Sequence, residues 1–335
     1  MTQRVLITGA GGAAAISFFK AVAHQGWEIH FADMDALAPG LFLVPESRRH
    51  IVPPGADPDF AERLLDLALM VGADVVIPTV DVELVPVAKA RASFEAHGIT
   101  VMTPDAEALA TCLDKAALMA AVSPALAPRW GILDRTFDED AWELPLIAKP
   151  RAGAGGRGVE LVTTPEHLAS LPRDGHLLVQ ELLPGEEFSV DVLMSPTGEV
   201  WATVPRMRMR TDSGVAIVSR TVLDQELMTC AREAVRAAGL SWVANVQLRR
   251  DRHGRPRLLE INPRFPGTMS LTVASGVNMP SVALGMATEL RRGRTPVRPV
   301  LHFSEIGMVR TWEEHYLPAS TLTETEAPSL ATQVA

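Results

Sequence analysis

Cysteine is nearly absent from this 335-residue sequence, which contains only Cys112 and Cys230. Two cysteines in helix-like segments cannot form a disulfide framework, and neither they nor the nine histidines show the spacing of a zinc site. Long apolar runs are absent as well, because no stretch approaches the roughly 18 residues needed to cross a bilayer. The start MTQRVLIT resembles a strand rather than a signal peptide. We therefore expect both cysteines to be reduced, and a cytoplasmic protein without membrane association.

Basic charge is also scarce. Lys and Arg number 31 against 40 Asp and Glu, which gives a net charge of -9. Nonspecific binding of nucleic acid requires clustered Lys and Arg, so this composition argues against a nucleic-acid partner. Any anion-binding site must therefore be a small group of basic residues within an acidic protein. The length and the 47% hydrophobic content predict two or three compact units with large cores.

The first hundred residues alternate between strand-like and helix-like patterns. Buried strands are predicted at 4–9, 28–33, 73–79 and 99–104, with amphipathic helices between them. Such alternation is typical of a parallel sheet covered on both faces. Asp57 and Pro58 are predicted to be the N-cap and the first residue of one of these helices.

A glycine-rich turn follows the first predicted strand. The segment TGAGGAAA, residues 8–15, together with Asp33 at the end of the next strand, is a GxGxxA version of the dinucleotide fingerprint. In that fingerprint a helix N-terminus holds a pyrophosphate and the acid binds a ribose. The same turn occurs in domains that bind no nucleotide. A nicotinamide-dependent oxidoreductase therefore remains one alternative.

The pattern changes after residue 104. A helix containing Asp114 and Lys115 precedes a proline-rich passage, and a strand-rich unit begins after Gly185. Shorter strands are predicted around Lys149, at 159–162 and at 177–181, and long helices near 224–238 and 278–291. The tail after Pro318 is rich in Ser, Thr, Ala and Pro and is predicted to be disordered.

A second glycine-rich stretch, KPRAGAGGRGV at 149–159, follows a short apolar run. Its four glycines, Gly153, Gly155, Gly156 and Gly158, lack the GxxxxGK[ST] pattern, which excludes a P-loop. A flap of backbone N–H groups behind the ammonium of Lys149 would still suit a polyphosphate. The alternative is an ordinary turn.

A hairpin is predicted at 242–264, with His253 and Gly254 at a tight turn. This register places residue 245 opposite 262 and 247 opposite 260. Oxygen-bearing side chains then share one face, and apolar side chains share the other. The polar set is Asn245, Gln247, Glu260 and Asn262, and the apolar set is Val246, Leu248, Leu259 and Ile261. Carboxylate and amide oxygens suit Mg2+; the alternative is a solvated hairpin face.

Two further strands show polar residues at alternate positions. Glu187, Ser189 and Asp191 share one strand face, and Arg206, Arg208 and Arg210 form another row opposite Met207 and Met209. Unpaired arginines are costly to bury, so the arginine row is expected to face either solvent or an anionic ligand. We assign it, as a hypothesis, to the carboxylate of an acceptor substrate.

Taken in order, these motifs resemble the ATP-grasp superfamily, in particular the carbamoyl-phosphate synthase large-subunit-like branch of carboxylate-amine ligases. The series runs from DK at 114–115 through the stretches 147–159, 179–192 and 245–268, and the resemblance covers residues 4–310. It implies a mixed α/β and α+β protein, a Rossmann-like pre-ATP-grasp domain followed by an ATP-grasp fold of two α+β subdomains. The expected domains are 1–103, a small lid at 104–184 and a C-terminal subdomain with the metal site at 185–317, before the tail at 318–335.

The resemblance also implies roles for individual residues. Lys115 and Lys149 would contact the ATP phosphates, and 153–158 would close over them. Gln180 to Leu183 would form a hinge, in which Glu181 and Leu183 meet adenine through backbone groups, while Glu187 holds the ribose. Gln247, Glu260 and Asn262 would bind magnesium. Arg264, Lys149 and Asn262 would be the catalytic residues, with Arg264 facing the transferred phosphoryl group.

The implied reaction is the activation of a small carboxylate by ATP as an acyl phosphate, which an amine opens to an amide. Two Mg2+ ions are expected, and Mn2+ could substitute. A kinase that stops at phosphoryl transfer is one rival, and the nicotinamide oxidoreductase and a catalytically silent nucleotide-binding protein are others. Because the chain lacks a second synthetase half, carbamoyl phosphate synthesis itself is not expected. A homodimer is compatible with the sequence, which does not specify the oligomeric state.

Overall fold

The computed structural model describes residues 3–153, 156–311 and 313–321, arranged around three β-sheets. The strands are β1 (Arg4–Thr8), β2 (Glu28–Asp33), β3 (Arg49–Ile51), β4 (Val75–Ile77), β5 (Thr100–Val101), β6 (Trp130–Ile132), β7 (Leu146–Pro150), β8 (Glu160–Val162), β9 (Leu177–Glu181), β10 (Glu187–Met194), β11 (Val200–Asp212), β12 (Val215–Thr221), β13 (Val243–Arg250), β14 (Pro256–Asn262) and β15 (Gly307–Val309). The helices are α1 (Ala13–Val22), α2 (Phe60–Val71), α3 (Asp81–Lys89), α4 (Arg91–Ala96), α5 (Ala106–Leu113), α6 (Lys115–Ala121), α7 (Pro165–Ser170), α8 (Gln225–Ala237), α9 (Met269–Ala274) and α10 (Met279–Arg291). No helix within these ranges combines the length and the apolar character needed to span a membrane.

The N-terminal sheet is parallel, with strand order β3-β2-β1-β4-β5. It confirms the four strands predicted from the sequence and adds β3, whose three residues carry no strong apolar pattern. The start of α2 corrects a prediction: the helix begins at Phe60 with Asp59 as its N-cap, so Asp57 and Pro58 precede the helix. The Asp57 carboxylate still accepts the N–H of Asp59, at 2.9 Å.

The smallest sheet is antiparallel, with order β6-β9-β7-β8, and its apolar residues form a separate small core. It confirms the strands predicted around Lys149, at 159–162 and at 177–181. The second glycine-rich stretch connects β7 to β8 at the edge of this sheet. Upstream, the single predicted helix around Asp114 is in fact two helices, α5 and α6, and Asp114 lies between them.

The largest sheet has six strands in the order β14-β13-β10-β11-β12-β15, and all their pairings are antiparallel. Helix α8 covers one face by burying Leu227, Ala231, Ala234 and Val235. The predicted helices near 224–238 and 278–291 are confirmed as α8 and α10, whereas the short helix α9 was not predicted. The predicted disorder at the C-terminus falls largely on residues 322–335, which lie outside the described residues.

The N-terminal unit packs directly against the segment that follows β14. Phe18 meets Phe265 edge to face at 4.8 Å, and the hydroxyl of Ser17 donates to the carbonyl of Gly267 at 2.9 Å. A Cβ atom on Gly267 would lie only 2.8 Å from the Cβ of Ala13, so a larger residue would separate the two units. This packing brings the carboxyl ends of the N-terminal strands close to residues 264–268.

Candidate active site

The β13–β14 hairpin has the predicted pairing across its polar face. Asn245 lies opposite Asn262, and Gln247 lies opposite Glu260. The predicted turn, however, is wrong. Asp251 donates its N–H to the carbonyl of Arg255 at 2.8 Å, so the connecting loop has three residues, 252–254, and Gly254 adopts φ 77°.

A β-bulge compensates for the longer turn. The register shifts between Gln247 and Leu248, which leaves Leu259 as an extra residue in β14. Leu258 is therefore fully buried in the core, while Leu259 lines the cavity on the polar side. The prediction that Leu259 belongs to the apolar reverse face is wrong for this reason.

The bulge gives Lys149 a hydrogen-bond partner. The Lys149 ammonium, which reaches the cavity from β7, donates to the Leu259 carbonyl at 3.2 Å and to the Gln180 side-chain oxygen at 2.8 Å. Lys149 is only 6% exposed. Burial lowers the pKa of Lys149 to about 8, assisted by the charge of Lys115, while the charge of Glu260 acts in the opposite direction. The site thus holds a partly desolvated ammonium.

Glu260 is the carboxylate around which the polar face is organised. The ammonium of Lys115 lies 3.7 Å from it, and the Asn262 amide donates to it at 3.3 Å. Lys115 also donates to the carbonyl of Gly153 at 2.8 Å, in the second glycine-rich stretch. Together with Lys149, Gln247, Arg264 and Gly156, these groups line one cavity of about 490 Å³.

The donor set can be tested against a divalent cation. No cluster of three or more His, Cys, Asp or Glu with metal-binding geometry exists in the described part of the chain. Glu260 supplies one carboxylate, and Gln247 and Asn262 supply amide oxygens on the same face. Such a set fits Mg2+, a hard cation that takes few protein ligands and completes its shell with water and phosphate oxygens.

Two of the residues predicted to meet the nucleoside also line this cavity. Gln180 and Leu183 line it and are each about 2% exposed. Glu181 does not line it: its carboxylate accepts the N–H of Arg129 at 2.8 Å, and its own N–H donates to the Arg129 carbonyl at 3.0 Å. Only the backbone carbonyl of Glu181 is left for the predicted adenine contact. Gly153, Gly156 and Gly158 all have positive φ, whereas Gly155 lies outside the described residues.

Glu187 also lines the cavity, but it faces a cation. The Nε atom of Arg208 lies 2.7 Å from its carboxylate. That N–H is poorly aligned and makes no hydrogen bond, so the contact is an ion pair rather than a hydrogen bond. Arg208 donates instead to the Gly214 carbonyl at 2.9 Å. A ribose bound by Glu187 would share the carboxylate with Arg208.

The three arginines predicted to form one row do not lie together. Arg206 is fully buried, where it pairs with Asp191 at 2.7 and 3.0 Å and donates to the hydroxyl of Thr268 at 2.6 Å. The register of β11 shifts between Arg208 and Arg210, so the alternation breaks and Arg210 becomes exposed. Of the three, only Arg208 lines the cavity.

Replacing Arg206 with methionine should destabilise the fold. The substitution would leave the Asp191 carboxylate buried without its cation, and breaking a buried pair in this way typically costs about 3–5 kcal/mol. We expect urea denaturation to show that loss in the free energy of unfolding. Arg210→Met at the exposed position is the matched control and should change it by less than about 0.5 kcal/mol. Equal midpoints for the two variants would refute the structural role of Arg206.

Two residues that contact the cavity lining were not found from the sequence. Asp81, at the start of α3, binds Arg264 through both carboxylate oxygens, at 2.7 and 3.1 Å. Arg310 donates to the Gly267 carbonyl at 2.7 Å, and burial together with the charge of Arg206 lowers its pKa. Among the described residues no carboxylate lies within 4 Å of Arg310. Only Asp81 could have been found from the sequence, because it follows β4 at the carboxyl edge of the parallel sheet, where ligands bind in such sheets.

The first glycine-rich turn, at residues 9–12, is covered by the chain itself. The carboxylate of Asp33 accepts the N–H of Gly11 at 2.8 Å, and Gly40 donates its N–H to the Ala10 carbonyl at 3.0 Å. A Cβ on Gly40 would lie 2.2 Å from that carbonyl oxygen. Because Asp33 is engaged and the segment 38–40 packs on the turn, the contacts here do not favour the nicotinamide alternative.

Two family models match separate parts of the chain. Residues 173–309 match a family described as "ATP-grasp in the biosynthetic pathway with Ter operon", and residues 5–102 match a family described as "PylC-like, N-terminal domain". No curated protein matches the sequence significantly.

Solved structures with the same fold include three of known identity. The biotin carboxylase domain of 2-oxoglutarate carboxylase from Hydrogenobacter thermophilus, solved with MgADP, has TM-score 0.67 and 20% identity, with 86% of this chain and 70% of that one covered. Biotin carboxylase from Campylobacter jejuni has TM-score 0.71 and 15% identity, covering 90% and 74%. L-amino acid ligase from Bacillus licheniformis has TM-score 0.64 and 18% identity, covering 85% and 74%. Residues 173–309 therefore belong to an ATP-grasp family, and the chain as a whole has the ATP-grasp fold.

Proposed function

We propose that the protein is an ATP-dependent ligase that activates a small-molecule carboxylate as an acyl phosphate and joins it to an amine. The observation that carries this proposal is the convergence of Lys115, Lys149, Glu260 and Arg264 in one cavity of about 490 Å³. This arrangement supplies cations for phosphate oxygens at one end and a carboxylate for Mg2+ beside them. Electrostatic stabilisation of this kind is the main demand of phosphoryl transfer.

ATP would lie with its adenine near Leu183 and its phosphates between the two lysines. Mg2+ would be held by Glu260 with the amide oxygens of Gln247 and Asn262, and it would neutralise charge on the phosphates. The similarity to a structure that contains MgADP supports this choice of ligands. The protein donors on this face account for one ion, and a second would depend mainly on phosphate oxygens.

The proposed reaction has two steps. A carboxylate oxygen of the acid attacks the γ-phosphorus, the bond to the bridging oxygen of ADP breaks, and an acyl phosphate forms. The amine nitrogen then attacks the carbonyl carbon, the carbon–oxygen bond breaks, phosphate leaves, and the nitrogen loses a proton. Arg264, held in place by Asp81, would stabilise the negative charge that moves between these groups.

Arg310 is the cation best suited to the acid. It is half-buried beside the loop that carries Gly267, a residue that lines the cavity. Burial, together with the charge of Arg206, lowers the pKa of Arg310, and an anion placed there would offset both effects by stabilising the charged guanidinium. Arg310 would therefore take over the acceptor role that the sequence assigned to Arg206, Arg208 and Arg210.

Arg310→Gln should raise the apparent KM for the acid at least tenfold while leaving the KM for ATP nearly unchanged. The reason is the loss of a hydrogen bond to a charged group, which is worth about 1.5–3 kcal/mol. Steady-state kinetics with each substrate varied in turn would measure the effect, and exposed Arg210→Gln is the matched control. An unchanged KM for every acid tested would remove Arg310 from the site.

One observation favours the kinase alternative. Glu187 and Glu260 are the two carboxylates that line the cavity, and each already faces a cation, Arg208 or Lys115. A protonated amine would find no free anion among the described lining residues. A neutral amine avoids this difficulty, and so does an acceptor that is simply phosphorylated.

Hydroxylamine traps acyl phosphates as hydroxamates, so it separates activation of a carboxylate from phosphorylation of a hydroxyl or amine acceptor. Amide formation with an added amine then separates the ligase from a kinase that stops at the acyl phosphate. A panel of small acids would be incubated with Mg·ATP and hydroxylamine, and ADP and product mass would be measured. The ligase proposal expects a hydroxamate from at least one acid, in step with ADP. Formation of a stable phosphorylated acceptor without hydroxamate would favour the kinase.

A homodimer and a cytoplasmic location stay predictions. The homodimer is supported by the dimer named for the Hydrogenobacter structure.

A further inference from the structure

Asp114 and Arg151 form an ion pair behind the two lysines of the site. Arg151 donates to both carboxylate oxygens of Asp114, through Nε at 3.2 Å and through Nη2. The guanidinium lowers the pKa of Asp114, so the carboxylate is ionised at neutral pH. Neither residue lines the cavity, although their neighbours Lys115, Pro150 and Ala152 do.

Backbone contacts reinforce the same junction. Asp114 is the N-cap of α6 and accepts the N–H of Ala116 at 2.9 Å, so it sets where the helix carrying Lys115 begins. The N–H of Lys115 in turn donates to the carbonyl of Arg151 at 2.9 Å. On its other side, Arg151 donates its own N–H to the carbonyl of His176 at 3.0 Å, just before β9.

The pair joins helix α6 to the end of β7, two elements whose buried side chains lie in different cores. Helix α6 buries Ala116, Leu118 and Met119 in the core beneath the six-stranded sheet, whereas β7, which ends beside Arg151, belongs to the four-stranded sheet with its own core. Lys115 also holds the Gly153 carbonyl, two residues beyond Arg151. The position of Lys115 relative to the start of the second glycine-rich stretch therefore depends on this junction.

We propose that Asp114 and Arg151 are positioning residues that hold Lys115 and the start of the glycine-rich stretch in register for nucleotide phosphates. This inference rests on the proposed use of ATP, but it adds residues that do not touch the nucleotide. The ion pair acts through Lys115 and Gly153, so its loss weakens nucleotide binding more than it slows the chemical step.

The N-cap allows the ion pair to be tested separately. Asp114→Asn keeps the cap, because Asn and Asp are equally good N-caps, but it removes the charge that binds Arg151. The expected result is a rise of at least tenfold in the KM for ATP, with kcat changed less than threefold. Arg151→Gln should change the KM for ATP and kcat in the same way. Arg173→Gln, which breaks the ion pair between Arg173 and Glu139 in the segments that connect the strands of the small sheet, is the matched control and should leave both constants unchanged.

A second measurement reports on the loop without requiring turnover. Trypsin cuts after Arg157, and mass spectrometry would follow that cut in the presence of Mg·ADP. Asp114→Asn should be cut at least fivefold faster than the wild type, and its affinity for Mg·ADP, measured by tryptophan fluorescence, should fall at least tenfold. Wild-type affinity and wild-type cutting in folded Asp114→Asn and Arg151→Gln would overturn the inference. The tryptic cut and the affinity for Mg·ADP can be measured without an acid substrate. A failure of the ligase proposal would therefore not change either result.

Discussion

Replacing Glu260 with glutamine should lower kcat by about a thousandfold, equivalent to roughly 4 kcal/mol of transition-state stabilisation. Glu260 is the one carboxylate on the polar face of the β13–β14 hairpin, opposite Gln247 and next to Asn262. Glutamine keeps the shape and one oxygen but removes the charge that would hold Mg2+. It also removes the negative charge closest to the ammonium of Lys115, at 3.7 Å.

The measurement is ADP formation at saturating ATP and over a range of Mg2+ concentrations. Because Glu260 is only partly buried and lies at a cavity wall, the thermal midpoint should change little, which separates loss of function from loss of folding. Glu160→Gln is the control, since this exposed residue on β8 pairs with His167 outside the cavity. Wild-type kcat in Glu260→Gln would contradict the metal assignment.

Lys149→Met should raise the apparent KM for ATP about a hundredfold. The ammonium is buried at the cavity wall, oriented by Gln180 and by the Leu259 carbonyl, and would meet phosphate oxygens directly. Methionine fills similar space without the charge, so the loss measures the electrostatic contribution, which is strong at a desolvated site. Lys89→Met, at an exposed position of α3, is the control and should bind ATP normally.

The same lysine predicts a dependence on pH. A lysine is charged below its pKa, and burial lowers the pKa of Lys149 from 10.5 to about 8. As the pH rises above about 8, the free enzyme loses this charge, so kcat/KM for ATP should fall. In Lys149→Met that fall should be missing. Identical pH profiles above pH 8 for the two proteins would show that Lys149 is not the titrating group.

The pairing across the polar face of the hairpin was predicted correctly because two differences from the expected register offset each other. The tight turn at His253 and Gly254 was wrong by one residue, and the bulge at Leu259 shifts the register by one residue in the opposite sense. The two differences cancel at Gln247 and Glu260. They do not cancel at Leu258 and Leu259, where the prediction failed.

The arginine row shows the opposite outcome. A bulge near Met209 is invisible in an alternating sequence, and it separates Arg210 from Arg208. Burial of Arg206 depends on Asp191, a residue on the neighbouring strand whose role could not be read from β11 alone. The partnership of Asp81 with Arg264 joins residues 183 positions apart, in two different units of the chain. Contacts between residues so far apart in the sequence arise from tertiary packing, which local sequence patterns do not encode.

The central claim is that ATP activates a carboxylate, and the transfer of labelled oxygen tests it most directly. An acid that supports hydroxamate formation would be prepared with 18O in its carboxylate and incubated with Mg·ATP and an amine. If an acyl phosphate forms and the amine opens it, each phosphate released carries one 18O from the acid, which mass spectrometry detects. Phosphate without 18O, released while ADP and amide accumulate, would contradict the account.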